Sequence, residues 1–104
     1  MIESSNPHQE PASRELDAYI HHRVLKNPLS HHYPNYSADP TAAENLRRTL
    51  QQKYKTKIIS GRTAIFGKTW FARYELDPGN PTEALAESYA LAVCRLAILL
   101  AKRT

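Results

Sequence analysis

The sequence predicts an α+β domain in which a small antiparallel β-hairpin sheet of two to three strands is sandwiched by helices, in the order α-α-β-β-α. Three observations lead there. Two amphipathic stripes at helical spacing, Leu16-Tyr19-Ile20-Val24 and Ala42-Ala43-Leu46-Leu50, occupy the first half. Residues from Thr56 to Leu76 switch to β-branched and aromatic chemistry around Gly67. The C-terminal stretch then carries only one charge, Arg95, between Ser88 and Ala101.

With 104 residues the chain forms one domain, expected over residues 13–104, after a solvated tail at 1–12 rich in Ser, Pro and acid. That tail lacks the apolar run of a signal peptide, and the single Cys94 excludes an internal disulfide. Both point to an intracellular, cytoplasmic protein.

Ser13 is placed to cap the first helix, with Glu15 and Asp17 favoured at its positive end, and Pro28 ends it near Asn27. A loop from Pro28 to Ala38 follows, holding His31, His32, Tyr33 and Tyr36. Asp39 followed by Pro40 starts the second helix, whose stripe extends to Tyr54. The hairpin turns near Gly67 and Lys68, and Gly61 in its first arm marks a bulge or a break into a further strand. Large apolar residues occur on both parities of that arm, Ile59 and Ile65 against Ile58 and Phe66, so part of the sheet is expected to be covered on both faces.

Asp77-Pro78-Gly79-Asn80-Pro81 reads as a compact turn into a last helix running from Pro81 to about Lys102, with Asn80 as its cap. Its core face is Leu85, Tyr89, Ala92, Leu96, Leu99 and Leu100. The opposite stripe holds Glu83, Glu87, Arg95 and Lys102 but is interrupted by Leu91 and Ile98. Either the first helix or a second copy must cover these, and a homodimer interface through Leu91, Arg95 and Ile98 is the expectation. The charge at Arg95 is too central for a membrane span, which needs about 20 mostly apolar residues.

Four stretches carry a resemblance to a known family: Glu15-Leu16-Asp17, Tyr36-Ser37-Ala38-Asp39-Pro40 with Ala42 and Ala43, Trp70-Phe71-Ala72, and Ala92-Val93-Cys94-Arg95-Leu96-Ala97. Over about Ser13 to Lys102 the chain resembles the phage ABA-sandwich domain family, small proteins of bacteriophages and prophages. The resemblance implies helical layers on both faces of a small antiparallel sheet and a phage setting. It carries no catalytic motif and no site residues.

Chemistry is sparse. His21-His22 and His31-His32 are adjacent pairs, and helical neighbours diverge by about 100°, so no metal site is expected. There is no G-x-S-x-G, no Gly-rich phosphate loop and no Zn-ligand spacing. No enzyme and no cofactor are expected.

Charge is the informative feature. Residues 41–76 set Arg47, Arg48, Lys53, Lys55, Lys57, Arg62, Lys68 and Arg73 against Glu44 and Glu75 alone, whereas 1–40 are net acidic and the rest balances, within a formal net charge of +4. A basic segment of this kind steers toward an acidic protein, a nucleotide or a nucleic acid. The expected function is therefore a phage-encoded, non-catalytic binding protein, an accessory or anti-defence inhibitor of the anti-CRISPR kind that blocks a host protein or complex. The alternative is a nucleic-acid or nucleotide binder using the basic hairpin. The expected contacts are Arg47, Arg48, Lys57, Arg62, Lys68 and Arg73, with His31, His32, Tyr33 and Tyr36 as a second group.

Overall fold

A computed structural model describes residues 11–27, 33–65, 68–77 and 80–103. The class is α+β, with a small antiparallel sheet packed against helices. Helix α1 (Arg14–Tyr19) starts where Ser13 Oγ accepts the N–H of Leu16 at 3.0 Å, and it continues into a π-helical turn, Ile20–Val24. Lys26 then takes a positive φ of 61°. Helix α2 (Pro40–Tyr54) is capped by Asp39, whose carboxylate accepts the N–H of Thr41 at 3.0 Å, and ends on Lys55 in the left-handed region. Strands β1 (Ile58–Ile65), β2 (Lys68–Asp77) and β3 (Asn80–Ala86) form the sheet in the order β1-β2-β3, and helix α3 (Tyr89–Arg103) closes the chain.

The main departure from the sequence reading is β3. Asn80–Ala86 pairs with β2, with Phe71 opposite Leu85 and Ala72 opposite Ala84, so neither Asn80 nor Pro81 starts a helix. Ala84, Leu85 and Ala86 have good helical propensity, but propensity yields to tertiary pairing. In strand geometry Thr82, Ala84 and Ala86 share the helix-facing side, and both alanines are fully buried there. The true cap of α3 is Ser88, whose Oγ accepts the N–H of Leu91 at 3.2 Å while its carbonyl accepts that of Ala92 at 3.0 Å. Gly61 makes neither a break nor a bulge. It sits in register opposite Phe71, and the register shifts later, between Arg62 and Ile65. A Cβ at Gly61 would lie 3.0 Å from Phe71 Cε1, so this glycine is what lets the ring lie across β1.

Helix α3 is the middle layer. One side packs on β2 and β3, the other on α2 and the π-helical turn, and every residue from Ala90 to Ile98 is buried. Ala72, Ala84 and Ala86 supply small side chains where α3 meets the sheet; Leu16, Ile20, Val24, Ala43, Leu46 and Leu50 supply the opposite wall. Leu91 (5% exposed), Arg95 (3%) and Ile98 (1%) are thereby covered within the single chain. The expected dimer interface at these three residues is corrected on that ground: no uncovered stripe is left there for a second copy to fill. Arg95 reaches back to the sheet and donates from Nη1 to the Leu85 carbonyl at 2.8 Å.

Coverage of the sheet is also corrected. Ile58, Ala72, Tyr74, Ala84 and Ala86 are buried against α3, whereas the alternate residues Ile59, Arg73 and Glu83 lie in one cross-strand row on the other face, with Gly61, Phe71 and Leu85 in the next. Among the described residues no helix covers that second face, and Ile59 is 46% exposed. Residues 1–10 of the expected tail, the tip of the hairpin at 66–67 and the turn at 78–79 lie outside the described residues.

Placing a carboxylate at Leu91 buries a charge, at a cost of several kcal/mol if it stays ionised. Leu91→Glu is therefore expected to lower the thermal midpoint by about 10 °C or more, read by circular dichroism. A variant that kept its midpoint and halved its mass in light scattering would restore the dimer interface.

Candidate functional site

The six expected cationic contacts do not form one patch. Arg47 is an internal strut: its Nε and Nη2 grip Glu44 at 2.9 and 2.5 Å, and its Nη1 donates to Gln51 Oε1 at 3.1 Å. It is corrected from a free contact to a positioning residue. Glu44 also accepts the Tyr89 hydroxyl at 2.5 Å, which ties α2 to the first turn of α3. These hydrogen bonds, Arg47 first and Tyr89 second, hold the Glu44 carboxyl down at about 2. Burial first, and then the bond to Glu44, push the Tyr89 hydroxyl up to about 12. Arg48 stands 69% exposed at the rim, 3.5 Å from Glu44.

Arg62 belongs to the same side of the molecule. It lies opposite Trp70, with its guanidinium 5.5 Å from that ring, and Trp70 meets Tyr89 edge to face at 5.8 Å. The cations Arg48 and Arg62 are thus linked through Glu44, Tyr89 and Trp70 along the flank where α2, α3 and the sheet meet.

Lys57 and Arg73 belong to the open sheet face. With Ile59, Tyr74 and Pro81 they line a shallow pocket. Arg73 is 4.0 Å from Glu83 and 5.5 Å from the Phe71 ring centroid. Lys68 pairs with Ile65 through its backbone, and its side chain lies outside the described set. The apolar members of this face, Ile59, Phe71 and Leu85, were absent from the sequence-based contact list. The period-two alternation that sets Phe71 and Arg73 apart from Trp70 and Ala72 was the signal that could have found them.

The loop candidates divide as well. His31 and His32 lie outside the described residues. Tyr36 is only 6% exposed, a core residue instead of a free contact, and its hydroxyl lies 3.1 Å from His21 Nδ1. Burial first, and then the nearby Cys94 and Asp17, push its hydroxyl above the usual tyrosine range. Tyr33 is half-buried, with the Arg14 guanidinium 4.4 Å from its ring centroid and the His21 ring stacked against it at 5.9 Å. Arg14 is held there by Asp17 Oδ2 at 3.0 Å, the Tyr33 carbonyl at 3.0 Å and the Asn35 side chain. Asp17 is buried and receives both the N–H and the hydroxyl of Ser37 at 2.7 Å. This network anchors the segment preceding α2 onto α1.

His21 Nδ1 also lies 3.3 Å from the Asn27 amide nitrogen. An amide N–H can only donate, so this nitrogen is the acceptor of a neutral ring. Burial first, and then His22, lower the pKa of His21.

No protein-family model matches the chain, and no curated protein matches it in sequence. Among solved structures it is similar to a phage protein from Bacillus cereus ATCC 14579, known from a crystal structure, with a TM-score of 0.64 and 14% sequence identity over 97% of this chain and 91% of that one. The likeness covers the whole layered arrangement and speaks for the fold.

Two acid responses follow. Glu44 has a depressed carboxyl, so its contribution to stability is complete above the ordinary value of 4.5 and is lost as pH falls toward about 2. Glu44→Gln is expected to lower stability at neutral pH and to flatten the acid limb between pH 4.5 and 2, read from urea midpoints across that range. The lowered pKa of His21 means that the unfolded chain binds the proton more readily, so stability falls as pH drops below 6.5. His21→Gln should remove that slope.

Proposed function

We propose that this chain is a phage-encoded, non-catalytic binding protein of the ABA-sandwich kind, an anti-defence inhibitor resembling anti-CRISPR proteins, which blocks a host protein by laying its open sheet face on an acidic surface. The observation that carries the reading is the uncovered face. An antiparallel sheet with one solvated face normally presents polar residues there, whereas this one presents exposed Ile59 beside half-buried Phe71 and Leu85. An apolar strip rimmed by charge is the composition of a protein-docking surface. Lys57 and Arg73 supply the rim, and they favour a partner of opposite sign through on-rate and orientation. The phage setting rests on the four sequence stretches and on the description of the Bacillus cereus protein.

The nucleic-acid reading draws on Lys55, Lys57, Arg62, Lys68 and Arg73 with Tyr54, Phe66 and Tyr74; of the described rings Tyr74 is core and Tyr54 packs against it, which leaves Trp70 beside Arg62. One face of that ring is already taken by the Arg62 guanidinium, and Tyr89 meets it edge to face. A base stacking on that face would have to displace the arginine, which favours protein docking.

Purified protein mixed with host lysate should yield a stoichiometric protein complex on size exclusion. Arg73→Glu combined with Leu85→Glu should weaken it at least about tenfold while leaving the circular dichroism spectrum intact, since truncation of one central interface contact costs about 2 kcal/mol. Absence of any protein partner, together with oligonucleotide binding that falls steeply with salt, would overturn the reading in favour of the nucleic-acid alternative.

A further inference from the structure

The two edges of the sheet, β1 and β3, are not equivalent. β3 carries Pro81, which removes a backbone donor from that edge. β1 keeps unbroken register with β2 from Ile58 to Arg62. In an antiparallel ladder each residue turns both its N–H and its C=O either toward the paired strand or away from it, in alternation. The N–H of Ile58 bonds not to β2 but to Gln51 Oε1, at 2.8 Å. Ile58 therefore points its backbone outward, and by the same alternation Ser60 and Arg62 do too, while Ile59 and Gly61 face Arg73 and Phe71. Gln51 is itself held by Arg47, so the end of α2 seals the first outward position. Among the described residues, Ser60 and Arg62 follow it as an open stretch of edge.

The side chains around that stretch specify what fits. Ile59 stands exposed on the open face, Arg62 is exposed on the helix side, and Lys57 is exposed just ahead of the strand. A strand laid beside β1 places alternate side chains on the two faces, one set beside Ile59 and the other within reach of Arg62. A second copy paired about Ser60 would set Arg62 opposite Ile58 and give its charge no acidic partner. An acidic set on the helix side instead meets Arg62, while the apolar set lies beside Ile59 on the face that Lys57 shares.

We infer that the β1 edge of this protein captures an extended segment of its partner as a fourth strand, and that this segment alternates apolar with acidic residues. The inference rests on the protein-binding reading above and gives it a second, separable contact. The hydrogen bonds of Ser60 and Arg62 would supply affinity, and Ile59 and Arg62 would read the alternation, as in other strand-addition complexes.

The probe is an end-capped eight-residue peptide alternating valine and glutamate, with a valine-lysine peptide as control. At excess glutamate peptide, amide hydrogen exchange at Ser60 and Arg62 should slow by about tenfold or more, with no slowing by the lysine peptide. Ser60→Pro removes an outward N–H without touching a bond to β2, so it should keep the thermal midpoint and lose the protection at Arg62, the outward amide that remains. Arg62→Glu should lose it as well and respond to the lysine peptide instead. Protection unchanged in both variants, or no protection in the wild-type protein, overturns the inference. So does protection that grows with protein concentration without peptide, because the occupant is then a second copy. If the host complex of the open face forms while the edge stays unprotected, only the edge inference falls.

Discussion

The structure depends on one constraint: a helix that is apolar on nearly every side must be covered on nearly every side. Ala90 to Ile98 contains no exposed position, and its one cation, Arg95, is folded back onto the Leu85 carbonyl. A three-stranded sheet covers one side of this helix, and α2 with the π-helical turn covers the other. Placing α3 between these layers uses one face of the sheet and leaves the second without a helix among the described residues. The candidate docking surface is thus a direct consequence of how the core is satisfied.

Two polar networks hold the outer helices in place. Asp17 receives the N–H and hydroxyl of Ser37 and so fixes the segment leading into α2 against α1. At the far flank, Glu44 gathers Arg47 and Tyr89, and Arg47 passes the constraint through Gln51 to the first residue of β1. A buried or half-buried charge held by several donors is costly to break, because each partner left behind loses its bond. These residues carry position, while the side chains of Arg48, Lys57 and Arg62 are exposed.

Much of the fold was legible in the sequence because local chemistry and tertiary demand agree there. Ser13 and Asp39 cap the helices expected of them, and the stripes Leu16-Ile20-Val24 and Ala42-Ala43-Leu46-Leu50 are buried. The site was less legible. A list of basic residues carries no direction, so Arg47 looked as available as Lys57, although one is gripped by Glu44 and the other stands in solvent. Tyr36 looked like part of a binding loop until its ring proved to be core.

The sequence by itself determined the α+β class, the helix starts at Ser13 and Asp39, the basic middle segment and the buried character of the last helix. These follow from periodicity, capping chemistry and charge, which act over a few residues. Only the tertiary structure decided that Asn80–Ala86 is a strand, that Leu91 and Ile98 are covered within the chain, and that the face with Ile59, Phe71 and Leu85 stays open. Each of these depends on which surface packs on which. Seven residues with Ala84, Leu85 and Ala86 at their end satisfy helix and strand alike, and the β2 ladder breaks the tie.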